Sequence, residues 1–228
     1  MTDATRSGDA IHPDNGVSAA SDDVVSSELE DLAQGVADQV ESFLLALREI
    51  SRSDDRGSLV PLLLLEVSQL LLAGARLGVQ TDFVPSDEYE PDVGRDLDLD
   101  AMRERLTVLL EGVDDFTEVF DPYIDPPELV SSRLSDDLAD IAANVAHGLR
   151  HYRAGSVQEA LWWWQFSYVS SWGTEASASL RALQSVIAHD RLDATEIGEV
   201  EASQLAAADE LELDHLDPYD RPADTTIR

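Results

Sequence analysis

The sequence contains no cysteine and no lysine. The first absence excludes disulfides, thiolate zinc sites and cysteine nucleophiles. The second leaves arginine to supply all 15 basic side chains against 47 acidic ones, for a net charge of −32. High-GC coding and salt adaptation would each produce that composition. The sequence also lacks a phosphate-binding glycine loop, a dinucleotide-binding glycine motif, a zinc-protease helix motif and a nucleophile elbow. No catalytic residue therefore stands out, no cofactor is expected, and a non-enzymatic role is favoured. Aromatic residues are scarce at 6%, yet all four tryptophans lie between Trp162 and Trp172. The opening Met1-Thr2-Asp3-Ala4-Thr5-Arg6 has no basic segment leading into an apolar one, so the expected compartment is the cytoplasm.

The acidic charge is unevenly placed. Residues 133–191 carry six acids and five arginines, residues 81–132 sixteen and three, residues 192–228 eleven and two. The tryptophan-bearing stretch is thus nearly neutral between acidic flanks. A chain of this charge is repelled by nucleic acid and by anionic bilayers, so no direct nucleic-acid or membrane partner is expected.

Periodicity predicts helices throughout. Residues 1–25 show none and read as a disordered acidic tail. A first helix is expected from Ser26 or Ser27, with Ser27 as its cap, to about Ile50. Its stripe comprises Leu29, Leu32, Val36, Val40, Phe43, Leu47 and Ile50. A second, at about 59–77, is apolar nearly all round and is expected at the centre of the fold. Glu66, Ser68, Gln69 and Arg76 break it up, which argues against a membrane span. A third helix is expected at 99–112, capped by Asp98. After it, Phe116 to Pro127 forms a long acidic, aromatic, proline-containing connection, the kind that is often functional. A fourth helix starts at Ser135 as its cap and ends at Gly155. Ser156-Val157-Gln158-Glu159 reads as a capping box for a fifth, reaching about Ala188 with a break near Ser170–Gly173. Residues 193–228 form an acidic extension, partly helical and then disordered.

Three clusters are candidates for function. Three consecutive tryptophans on a helix spread over about 200° and cannot share one core. Either each packs on a different neighbour, or Trp162 and Trp163 anchor a partner, together with Phe166 and with Phe120 and Tyr123 of the long connection. Asp136, Asp140, Asn144, His147 and His151 form a polar stripe on the fourth helix. It is either a solvated face or, through His147 and His151, the start of a metal site. Glu66 and Gln69 within the leucine-rich helix are a buried polar pair expected to meet Arg76, Arg150 or Arg181.

The turn at Gly155 partly resembles one tetratricopeptide unit, through Gly148, Gly155, Ala160, Trp164 and Ser167. It does not recur, so a peptide-binding array is not implied. The segments Leu62–Gly74, His151–Gly155 and Glu159–Tyr168 resemble an actinobacterial family, the domain of unknown function numbered five thousand and sixty-three, over about Leu32 to Leu192. The resemblance implies a high-GC source and, through members that lie near a recombination-mediator gene, a link to DNA recombination and repair. It carries no established activity, so no catalytic residue transfers. The combined expectation is an all-α, single-domain bundle of five or six helices over residues 26–192, with a tetratricopeptide-like hairpin and disordered acidic termini. Its expected role is that of an interaction or adaptor protein with an unidentified protein partner, and a homodimer is one state open to it. The alternative is an enzyme or metal protein built on the His147/His151 face, and a DNA mimic acting through residues 81–132 is a third.

Overall fold

A computed structural model describes residues 16–86 and 91–192. The N-terminal tail up to residue 15 and the acidic extension from residue 193 lie outside the described residues. The chain forms helices α1 (Gly16–Arg52), α2 (Leu59–Gly78) and α3 (Asp100–Leu109), strands β1 (Asp115–Val119) and β2 (Leu129–Arg133), then α4 (Leu134–Arg153), α5 (Val157–Ser167) and α6 (Gly173–Leu192). A single π-helical turn, Tyr168–Trp172, joins α5 to α6 into one bent rod. The fold is mainly helical, as expected, with a small antiparallel hairpin added. Helix α1 begins at Gly16, ten residues ahead of the predicted start, so Ser27 is not its cap.

The central helix is α4, and this corrects the expectation for α2. Eleven of the twenty α4 residues are buried, among them Leu138, Ile141, Val145 and Leu149, and α4 packs on α1, α3, α5 and α6. Only seven of twenty are buried in α2. Its all-round apolar sequence is compatible with the centre but does not require it. One face, Leu63, Val67, Leu70 and Leu77, packs on α1 and the α5–α6 rod, while Leu62, Leu65 and Leu72 face outward. By length and composition alone α2 would suit a membrane span.

The α4–α5 turn is a Schellman-type stop. Gly155 adopts φ +85°, its N–H donates to the Tyr152 carbonyl, and the Ser156 N–H donates to the His151 carbonyl at 3.0 Å. The sharp reversal expected at this glycine is present. The tetratricopeptide-like match also has a packing cause. A Cβ on Gly148 would lie 2.3 Å from Nε1 of Trp164, so only glycine lets that indole reach the α4 backbone. Trp164 is fully buried and donates Nε1–H to the Val145 carbonyl at 2.9 Å. The capping box is not formed, because the Glu159 carboxylate instead accepts the Ser86 N–H at 2.9 Å.

The connection expected to be irregular is a β-hairpin. Phe116 pairs with Ser132 and Glu118 with Val130, and burial alternates along β1 and the first part of β2. Asp114 closes its base. One carboxylate oxygen accepts the Ser135 N–H at 2.8 Å; the other accepts the Ser135 hydroxyl at 2.9 Å and an Arg133 N–H at 2.8 Å. Asp114 therefore caps α4 from across the hairpin. Ser135 lies inside the first turn of α4 and is not the cap.

Candidate functional site

Helix α5 is wedged into the fold with its three tryptophans in three environments. Trp164 is core. Trp163 leans on the His147 ring at 4.2 Å and donates its indole N–H to the Asn144 carbonyl at 3.0 Å, so its polar handle is already engaged. Trp162 meets Trp163 edge-on at 6.0 Å and stacks on Phe166, with ring centres 5.5 Å apart and planes 11° apart. Phe166 is 52% exposed, and Val169, one turn further on, is 71% exposed. Trp162, Phe166 and Val169 thus form an outward stripe at helical spacing.

That stripe runs, through Val169, into a groove of about 1150 Å³ between the hairpin and the π turn with α6. Val169, Gly173 and Ala178 form one wall, and Phe116, Val119 and Phe120 the other. Gly173 is required by the π turn, since a Cβ there would meet the Tyr168 carbonyl oxygen at 2.3 Å. Phe120 is 60% exposed on the lip, and Tyr123, 95% exposed, stands just beyond it in the hairpin loop. Of the five predicted anchor residues, Phe120 lines the groove, Trp162 and Phe166 stack on the helix that leads to Val169, and Tyr123 is exposed in the hairpin loop. Trp163 does not belong to this surface. The sequence reading missed Val169 and the groove wall on α6, where the small residues Ser177 and Ala178 leave room for the cleft.

Behind the hairpin wall, carboxylates crowd together. Asp137 is pushed up to about 7, first by burial and then by the charges of Glu118 and Glu175, against a Ser179 hydroxyl at 3.4 Å. Burial also raises Glu175, against the hydroxyl of Ser171 at 3.0 Å. A carboxyl titrating near neutrality can mark acid–base chemistry. Asp137, however, does not line the groove, and its shift reports three acidic groups held at the junction of α4, α6 and the hairpin.

The polar stripe of α4 is solvated at Asp140 and increasingly engaged toward its C-terminal end. Asp140 accepts from Arg103 at 2.7 Å, Asn144 reaches Ser171, and His151 is buried. His147 and His151 bring their Nε2 atoms to 3.3 Å, while His147 Nδ1 lies 3.2 Å from Asp96. Arg150 also holds Asp96, at 2.5 Å, which keeps that carboxyl below its usual range. Together these side chains pin the acidic loop onto α4. Among the described residues no three His, Asp or Glu side chains are placed to hold a metal ion. The same loop is clamped by α5: Gln165 accepts the Phe83 N–H at 2.8 Å and donates to the Leu77 carbonyl at 3.0 Å.

Glu66 and Gln69 do not meet the arginines expected. Gln69 accepts from Gln39 at 3.3 Å. Glu66 is half-buried between α1 and α2, where burial raises its pKa.

These elements define a helical domain with a hairpin-edged groove. The chain belongs to the family described as a domain of unknown function, DUF5063, whose model matches residues 27–189. Among solved structures it is similar to protein BF1032 from Bacteroides fragilis, a structural-genomics target. The two share 20% identity with a TM-score of 0.52, over 66% of this chain and 89% of that one. That likeness concerns the fold alone. A search of curated proteins finds no match.

Proposed function

We infer that this is a non-catalytic interaction protein whose groove and aromatic stripe receive an apolar segment of a partner protein. The observation that carries this is the continuity of the exposed surface: Trp162 stacked on Phe166, then Val169, then a groove bounded by Phe120. Exposed aromatics over a cleft are what protein interfaces concentrate, and contiguous apolar surface of this kind is uncommon on a monomer without a partner. Asp115, Glu118 and Asp190 edge the groove against one arginine, Arg181, and the chain carries −32, which favours an apolar segment with basic flanks. The histidine pair supports this reading over a metal enzyme, because His147 is engaged with Asp96 of the acidic loop and with Trp163, and the buried His151 packs on His147.

The test is a pull-down with the native chain against the Phe166→Ala/Phe120→Ala variant. Loss of a captured partner, with an unchanged melting temperature, supports the reading. Equal capture by both proteins removes it.

A further inference from the structure

The groove follows an unpaired strand edge. Strand β1 and its extension supply six consecutive lining positions, Asp115 to Phe120, and β2 supplies none. Side chains alternate between the two faces of a strand, so a wall that uses every residue is the strand's edge. The hairpin register says which backbone groups that edge carries. The Leu134 N–H donates to the Asp114 carbonyl and the Phe120 N–H to the Glu128 carbonyl, each at 2.9 Å. Between them the ladder is unbroken, from Asp115 opposite Arg133 to Val119 opposite Leu129. Hydrogen-bonded and non-hydrogen-bonded pairs alternate in such a ladder, so Phe116 and Glu118 direct their N–H and C=O groups at β2. Asp115, Thr117 and Val119 direct theirs away from β2, on the side of the groove. Among the described residues no backbone hydrogen bond takes them up. The facing wall is one side of α6, where Ser177, Ala178, Ala182 and Ser185 are all small.

We propose that the groove receives its partner protein as a third strand, an extended segment of about five residues paired with the outer edge of β1. This rests on the groove reading above and names its binding mode. Three N–H groups and three carbonyls wait on that edge, and main-chain pairing of this kind supplies affinity whatever the partner's side chains. Proteins blunt open edges with proline or a bulge, and β1 has neither. Its charge sets the preference instead. Alternate residues of the added strand lie beside Phe116 and Glu118, the inward positions of β1, so an apolar residue suits the first and a basic one the second. Glu118 accepts from the Ser132 hydroxyl at 2.8 Å and has no cationic partner among the described residues. Asp115 and Asp190 add to the acidity, against Arg181 and His189. Two occupants from this chain fit less well. A second copy would set its own Asp115 and Glu118 along those already on the edge. Residues 193–228 follow directly on α6 but hold eleven acids and two arginines.

Peptide selection and amide hydrogen exchange on the full chain test this. Random peptides of about ten residues, displayed and selected on the native protein, should yield binders with alternating apolar positions and an arginine or lysine. The Thr117 and Val119 amides should exchange fast in the native protein alone and become protected when a selected peptide is added. Thr117→Pro removes one outward N–H without touching the hairpin ladder, and it should weaken these peptides about tenfold or more. Ser131→Pro makes the same change on the far edge of β2 and should leave binding intact. If Thr117→Pro fails to fold, methylating the peptide's own backbone amides decides. Methylation at alternate positions should abolish binding, and at the positions between should not. Peptides lost with Phe166→Ala/Phe120→Ala but indifferent to Thr117→Pro would overturn strand pairing and keep the groove reading. Peptides indifferent to all of these changes would remove both. A library that yields no binder overturns the proposal. So does protection of Thr117 and Val119 in the native protein alone, the mark of an edge already covered by this chain or a second copy.

Discussion

Replacing Gly148 by alanine tests the packing on which the α4–α5 hairpin depends. The new Cβ would stand 2.3 Å from Nε1 and 2.5 Å from Cδ1 of Trp164, far inside van der Waals contact. Trp164 is wholly buried and cannot swing into solvent, so the indole or the helix axis must move. Forced overpacking of this kind costs about 1–3 kcal/mol. Displacing the indole also strains its bond to the Val145 carbonyl, worth about 1 kcal/mol. Alanine returns about 1 kcal/mol through helix propensity. The balance is a loss of about 2 kcal/mol, which lowers the melting temperature by roughly 4–8 °C for a domain of this size. Thermal unfolding followed by circular dichroism measures it directly. Trp164→Phe alone should also destabilise, by leaving a void. Combined with Gly148→Ala it should cost less than the sum of the two, because the smaller ring leaves room for the methyl group. A Gly148→Ala protein that melts at or above the native temperature would refute the account of this contact.

Asp114→Ala should cost about 3 kcal/mol in urea unfolding, since it strips the buried Ser135 of two partners and leaves Arg133 without its closest carboxylate. Trp163→Ala should destabilise by about 2–3 kcal/mol, whereas Phe166→Ala should stay within about 0.5 kcal/mol; paired thermal melts separate the half-buried, hydrogen-bonded ring from the exposed one. Asp137 has a folded pKa raised from 3.8 to about 7, so its contribution to stability is complete below 3.8 and is lost as pH rises through about 7. Asp137→Asn should therefore gain on the native protein across that window and hold a constant advantage above it, in urea midpoints measured along a pH series.

Much of the fold was legible because helix-forming stripes are local. Leu32, Val36, Val40, Phe43 and Leu47 announce one buried face of α1 wherever it packs, and all five are in the core. The fold-back at Gly155 was equally legible, since a glycine between two strong helices supplies the positive φ that the reversal needs. The hairpin was not. Prolines and acids around Phe116–Pro127 mark irregular chain, and two five-residue strands become stable only when Asp114 ties their base to α4. The polar stripe on α4 was visible as a stripe, but its partners, Arg103 and Asp96, lie about 37 and 51 residues away along the chain.

By itself the sequence determined the secondary structure of most of the chain, the neutrality of the tryptophan segment and the impossibility of thiol chemistry, because each follows from residue type and spacing alone. Which helix is central, which tryptophan faces outward and which carboxylates crowd together were decided only in three dimensions. An apolar helix is satisfied by any apolar neighbour, so the α2 sequence is equally compatible with the centre and the edge. The choice fell to α4, whose small residues Ala139, Ala142, Ala146 and Gly148 let other elements approach from several sides, Trp164 closest of all.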